Sequence, residues 1–267
     1  MKHKTFIIAE AGVNHNGNLD TAFRLVDVAR DAEADAVKFQ TFWGFPKYKH
    51  LELSKDDFVQ LKKYCDNVGI EFMSTPDTIE AVDFLAELGM KRWKIGSRNA
   101  TNAIFLKYIA KLPGEIYLST GMCDGLEIIE AYNILSGGSP VWRSRVVLMQ
   151  CISMYPTPFE HVNLRAMVDY GSNNYRLYRR FGLSDHTLGI HIPIAAVAMG
   201  ASVIEKHFTL DKTQEGADHH MSLEPYELSQ MVRCIRDVEA AMGDGVKRPT
   251  EYELKVRDAM RNYEDCK

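Results

Sequence analysis

The stretch at residues 6–12, FIIAEAG, and its counterpart at residues 36–41, AVKFQT, decide how this chain reads. Each is a short apolar run that becomes polar near its end, and between them residues 19–31 carry the period of an amphipathic helix. That is one βα unit leading into the next strand of a parallel sheet. The same alternation continues along the chain. Further strands are expected at 70–75 (IEFMST), 92–97 (RWKIGS), 115–120 (EIYLST), 145–151 (RVVLMQC), 182–186 (GLSDH) and 203–209 (VIEKHFT). The clearest helices are expected at 19–31, 55–67, 78–88, 124–135, 189–199 and 225–242. Thr78 and Asp124 stand where N-caps belong, and Gly69, Gly89 and Gly200 where helices stop. Eight such units in about 250 residues predict a (β/α)8 TIM barrel. An open doubly wound sheet is the weaker reading, because the repeat is even through both halves and no GxGxxG turn is present.

Composition narrows the class. With 267 residues, 46% hydrophobic and 25% charged, the chain is long enough for one sizeable core and too apolar for disorder. No apolar run is long enough to span a bilayer, and the amino-terminal run is interrupted by Glu10, so the expected address is cytoplasmic. Five cysteines without a CxxC pair suit free thiols and exclude a zinc finger. A net charge of -4, with basic runs only at Arg176/Arg179/Arg180 and Lys247/Arg248, gives no nucleic-acid footprint; those runs read as solvated faces. The domain reading is a catalytic barrel over 1–247 and a carboxyl-terminal helical extension over 248–267, with no second domain. The longest irregular stretch is 155–174.

In a barrel of this kind the carboxyl ends of the strands form the active-site mouth. The polar residues gather there: Glu10, Lys38, Gln40, Ser74, Thr75, Lys94, Ser97, Ser119, Thr120, Ser153, Tyr155, Ser184, Asp185, His186, Glu205, Lys206, His207 and Thr209. Any single Ser or Thr at a strand end is more simply a helix cap. Lys38 and Lys94 are different, because each lies within an apolar run where an unpaired ammonium would cost several kcal/mol. An anion must meet them, either a structural Asp or Glu or, as Ser97 and Ser184 at the same mouth favour, a phosphate. His186 and His207 end neighbouring strands and could share one ion. Two imidazoles completed by substrate oxygens and water suit Mn2+, Co2+ or Mg2+ better than a closed zinc site. His219 and His220, adjacent in a loop, read as loop residues or substrate contacts, and His15 as a residue that shapes the first βα loop. Met149, Met154 and Met199 read as core filler and Cys151 as a buried thiol.

Nine motifs carry a resemblance: AEAGVNHNGNLDTA, VKFQT, FMSTP, KIGS, LSTGM, YPTP, GLSDHTLG, IEKHFTLD and GADHHMSLEP. In this order and spacing the chain resembles the sialic acid synthase family nearly end to end. These enzymes condense phosphoenolpyruvate with an N-acyl amino sugar to give nonulosonic acids. The resemblance implies metal ligation by His186 and His207, with Mn2+ the favoured ion. It implies phosphoenolpyruvate binding by Lys38, Lys94, Ser97 and Ser184, with Thr75 beside them. Glu10 would handle the attacking water, and Tyr155 and Asp218 would touch the acceptor sugar. Three features depart from the pattern. After KIGS the family usually has Gly-Glu, whereas this chain has Arg98 and Asn99, an amide that cannot act as a base. Ser153 replaces an Asn commonly found before YPTP. Family members usually continue into an antifreeze-like domain that reaches across a dimer, whereas this sequence ends at Lys267, so a homodimer or a separate chain is the implied partner. Segment 43–53 is also shorter than usual, which implies a more open mouth. Two rivals remain: a 3-deoxy sugar acid synthase using a phosphorylated aldose, and a catalytically silent barrel that binds a ligand or partner.

Overall fold

The computed structural model describes residues 4–139, 144–169 and 180–261. Eight parallel strands alternate with helices around them: β1 (Phe6–Gly12), β2 (Ala36–Thr41), β3 (Glu71–Pro76), β4 (Arg92–Ile95), β5 (Glu115–Ser119), β6 (Val146–Cys151), β7 (Phe181–Asp185) and β8 (Val203–His207). They are hydrogen bonded in the order β3-β2-β1-β8-β7-β6-β5-β4. β3 and β4 then lie side by side, so the ribbon nearly closes into the expected (β/α)8 barrel. Between strands run α1 (Leu19–Asp31), α2 (Lys55–Val68), α3 (Ile79–Glu87), α4 (Ala103–Ile109), α5 (Gly125–Ser136), α6 (Leu164–Asp169) and α7 (His191–Ala198), with α8 (Pro225–Ala241) and α9 (Glu251–Arg261) after the last strand.

Local chemistry sets the helix ends. Thr78 accepts from the Ala81 amide, and Asp124 forms a capping box with Glu127, as their positions predict. Gly69 ends α2 in the left-handed region. Apolar residues fall into two layers, as strand alternation demands. Ile7, Val37, Phe72, Trp93, Ile116 and Leu148 pack outward against helices, while Ile8, Ala36, Met73, Tyr117, Val147, Met149 and Val203 fill the barrel interior.

Several expectations need adjustment. The stretch read as irregular from Tyr155 onward contains a 3-10 turn at Phe159–His161 and α6; its remainder, 170–174, lies outside the described residues, as do Arg176 and Arg179. Arg180 is no solvated cation, since it pairs with Glu115. Met154 is half exposed rather than core filler, because it stands on the loop above β6, whereas Met149 is buried. Segment 43–53 turns through a 3-10 helix at Pro46–Leu51, closed by a bond from Trp43 Nε1 to the Leu53 carbonyl at 2.9 Å. Gly17, with φ +70, lies against the His50 carbonyl, and any Cβ there would collide with it. The first βα loop therefore packs directly against this turn.

Candidate active site

The carboxyl ends of the strands surround a cleft of about 420 Å³. Glu10, Lys38, Thr75, Lys94, Ser97, Ser153, Tyr155, Ser184, His186, His207 and Asp218 all line it, so every residue nominated from the sequence reaches one pocket. They arrive from seven different strands or the loops that follow them, which is how a barrel assembles a site from distant sequence.

At the floor lies a buried charge cluster. Lys38 Nζ is 2.7 Å from Glu10 Oε2, donates to Thr75 Oγ1 at 2.6 Å and sits 3.7 Å from Glu205 Oε2. Lys94 Nζ is 3.2 Å from Glu205 Oε1, which also accepts from Ser184 Oγ at 2.9 Å. Carboxylates thus meet both lysines, the first of the two alternatives read from the sequence, and the same ammoniums line the cleft. Glu205 offsets one ammonium charge and Glu10 is a hydrogen-bonding partner to the other, which lowers the cost of burying both. The two carboxyls are not equivalent. Burial and the nearby Glu205 charge push Glu10 up to about 7 despite Lys38, so of the two carboxyls Glu10 is the one that protonates first. Burial also opposes the Glu205 charge, but Lys38 and Lys94 together hold it well below the usual range. The floor therefore holds two ammoniums, one fixed carboxylate and one carboxyl that titrates near neutrality. With Glu10 protonated, that leaves a net positive charge, suited to an anion.

His186 and His207 form the opposite wall, their ring centres 5.5 Å apart. His186 Nδ1 lies 2.8 Å from the Ile152 carbonyl and must donate to it, which leaves Nε2 with its lone pair in the neutral ring. His207 is buried and held well below its ordinary pKa by that burial and by His186, so it is neutral. Its Nδ1 has no hydrogen-bond partner, and Asp218 Oδ2 at 3.9 Å is too far to supply one. The neutral His207 ring carries an orphaned buried nitrogen, while for His186 burial is outweighed by the contacts with Cys151 and the Ile152 carbonyl, which raise its pKa; once His186 gives up that proton, the two imidazoles fit a divalent cation. Among the described residues no group of three or more His, Cys, Asp or Glu side chains could hold an ion, so substrate oxygens and water would complete its shell. Tyr155 packs over the His186 ring at 4.1 Å between centres.

Ser97 Oγ accepts from the Gly121 amide at 3.0 Å. Glycine at 121 leaves both hydroxyls in place, since a Cβ would lie 2.5 Å from Ser153 Oγ and 2.7 Å from Ser97 Oγ. Phe42, Phe45, Tyr48 and Leu51 make an apolar outer wall, so the short segment 43–53 lines the mouth. Arg98 also lines it, paired with Asp77, whereas Asn99 does not. Of the pocket residues not nominated from the sequence, two carry polar groups at the buried floor or beside it. Glu205 was legible only as a polar strand end, and Ser119, buried with an unpartnered hydroxyl, looked like any cap. His219, by contrast, is a buried loop residue bonded to Thr209 Oγ1 at 2.7 Å. His15 Nδ1 accepts from the Gly17 amide at 3.0 Å and shapes its loop as expected.

Fold and pocket together define a (β/α)8 enzyme with a lysine floor for an anion and a histidine wall beside it. Comparison with known proteins agrees. A model of the NeuB family matches residues 45–247. The N,N'-diacetyllegionaminic acid synthase of Campylobacter jejuni is 44% identical, over 97% of this chain and 83% of that protein. The human N-acetylneuraminate-9-phosphate synthase is 36% identical, over 97% of this chain and 77% of its own length. The N-acetylneuraminic acid (sialic acid) synthetase of Leptospira borgpetersenii, solved with citrate, superposes with a TM-score of 0.86 at 34% identity, covering 97% of this chain and 92% of that one. A truncated 3-deoxy-D-arabino-heptulosonate 7-phosphate synthase from Thermotoga maritima, at 15% identity and TM-score 0.72, shares the fold. The chain belongs to the NeuB family, the sialic acid synthase family. It is a phosphoenolpyruvate-dependent, carbon–carbon bond-forming transferase of that family.

Proposed function

We propose that the protein condenses phosphoenolpyruvate with the aldehyde of an N-acyl amino sugar, in a metal-dependent reaction giving a nonulosonic acid and inorganic phosphate. The observation that carries this reading is the convergence of Lys38, Lys94, His186, His207 and Glu10 on one cleft. C3 of phosphoenolpyruvate attacks the aldehyde carbon, water adds at C2, and phosphate departs with cleavage of the C2–O bond. Lys38 and Lys94 trade part of their pairing with Glu10 and Glu205 for the phosphate and carboxylate of the donor, with Thr75, Ser97 and Ser184 as neutral donors beside them. His186 and His207 would hold a divalent ion, Mn2+ by preference, that when bound supplies a Lewis acid for the acceptor's aldehyde oxygen. Tyr155, Ser153 and Asp218 face the space left for the sugar.

Glu10 is suited to the water step. Its carboxyl, near neutrality in pKa, can hold the attacking water and take its proton. The catalytic unit is read as residues 1–247, with 248–267 as an extension that begins with the exposed α9. No helix among the described residues is long and apolar enough to cross a membrane, and the four free thiols among them fit a reducing cytoplasm.

The test is a metal-replete phosphate-release screen with N-acetylmannosamine, its 6-phosphate, diacetamido trideoxy sugars and arabinose 5-phosphate. Release with an N-acyl amino sugar is expected. Release with arabinose 5-phosphate alone would move the chain to the 3-deoxy sugar acid reaction. Tight phosphoenolpyruvate binding with no release from any sugar would make it a silent barrel.

A further inference from the structure

Directly before the two wall histidines stand two residues that face away from the pocket. Asp185 precedes His186 at the end of β7, Lys206 precedes His207 at the end of β8, and the two are register partners across the parallel ladder. Because successive side chains in a strand point to opposite faces, histidines in the cleft put Asp185 and Lys206 on the outer face, beneath the helices. There Lys206 Nζ is 2.6 Å from Asp185 Oδ2, with each side chain only 1% exposed. Both residues also grip the turn that follows. Lys206 Nζ donates to the Thr187 carbonyl, while Asp185 accepts from the Thr187 amide at 3.1 Å and from Thr187 Oγ1 at 2.9 Å. All three polar groups of Thr187 are therefore held.

A dry ion pair is weak support for stability, because apolar residues of similar volume do as well or better. An apolar pair could not hold Thr187, however, and Thr187 is covalently attached to His186. From the other side His186 is fixed by the bond from the Thr157 amide to its carbonyl, 2.9 Å, and by the Nδ1 contact with Ile152. We infer that Asp185 and Lys206 are positioning residues: a cross-strand clasp that sets the spacing and pitch of the His186 and His207 rings through the backbone of β7, β8 and Thr187. This rests on the reading of the two histidines as metal ligands. The lysines of the floor are on β2 and β4 and meet the clasp strands only through Glu205 and Ser184, so the clasp acts first on the histidine wall and less on the donor site.

The decisive variant is Lys206→Met with Asp185→Leu, which replaces the ion pair with an apolar one. It is expected to melt within a few degrees of the native chain, yet to bind Mn2+ about tenfold or more weakly, as measured by electron paramagnetic resonance on the full chain. Its kcat per folded site should fall about tenfold or more, with KM for phosphoenolpyruvate within about threefold of native. Native Mn2+ affinity and native kcat in this variant would overturn the clasp. If it fails to fold, Thr187→Val, which removes only the hydroxyl contact, should give the same split in smaller measure. Unchanged affinity and kcat there would likewise overturn it. If the native chain takes up no divalent ion, the metal reading falls. The clasp is then tested by the ring separation in crystal structures of the native and doubly substituted chains: a changed separation supports it, an unchanged one ends it.

Discussion

Replacing Gly121 by alanine tests whether Ser97 and Ser153 serve the substrate. The glycine's φ lies outside the left-handed region, so alanine adds no backbone strain and the perturbation is purely one methyl group. That methyl would lie 2.5 Å from Ser153 Oγ and 2.7 Å from Ser97 Oγ. Favourable carbon contacts lie near about 3.5 Å, so each hydroxyl must retreat by roughly 0.8 to 1 Å. Ser97 would then lose its bond from the Gly121 amide and its reach toward the donor phosphate. A hydrogen bond to a charged group contributes about 1.5 to 3 kcal/mol, which corresponds to a KM for phosphoenolpyruvate raised roughly 10- to 100-fold. Steady-state phosphate release against phosphoenolpyruvate concentration reads this directly, with melting temperature as the control for folding. Because both changes act on one contact, Gly121→Ala combined with Ser97→Ala should cost little more than the larger single change. A correctly folded Gly121→Ala chain with KM within about twofold of native would refute the assignment of Ser97 to the donor phosphate.

Two further outcomes follow from protonation. Since the Glu10 carboxyl titrates at about 7 in the free protein and must be ionised to accept a proton, kcat/KM for phosphoenolpyruvate should fall as pH drops through 7, and Glu10→Gln should lose most turnover together with that acid limb; a Glu10→Gln chain retaining native kcat/KM and the same limb sinks the role. His15 is buried and its pKa is lowered to about 4 by that burial, so folding favours the neutral ring. Above 6.5 the ring is neutral in both states and contributes nothing; as pH falls from 6.5 to 4 the unfolded chain gains the proton first and stability is lost, by at most about 3 kcal/mol. Urea midpoints measured across that interval should decline less steeply in His15→Asn, and parallel slopes would count against this account.

What could be read from sequence follows from what is local. Strand alternation, the Thr78 and Asp124 caps and the polar strand ends each depend on a few consecutive residues, and the structure has them in place. α4 does not stand out in the sequence because Ala103–Ile109 has only about two turns and leaves Ile104 exposed, which blurs its period. The pairing of the lysines was illegible for a different reason. Glu205 meets Lys38, Lys94 and Ser184 across three other strands, and no spacing along the chain encodes which carboxylate an ammonium will meet. Likewise the cost of burying Lys38 showed that an anion was needed, but could not say that Glu10 and Glu205 provide it before a substrate does.

The barrel's wall is not uniform. Seven junctions are stitched by amide ladders, while β3 lies beside β4 without one, and that junction separates Thr75 from Lys94, two walls of the donor cleft. Parting these strands slightly breaks no main-chain bond, whereas the same displacement anywhere else around the ring would. Adjustment of the cleft to the bulk of a phosphate is therefore cheapest along this one edge.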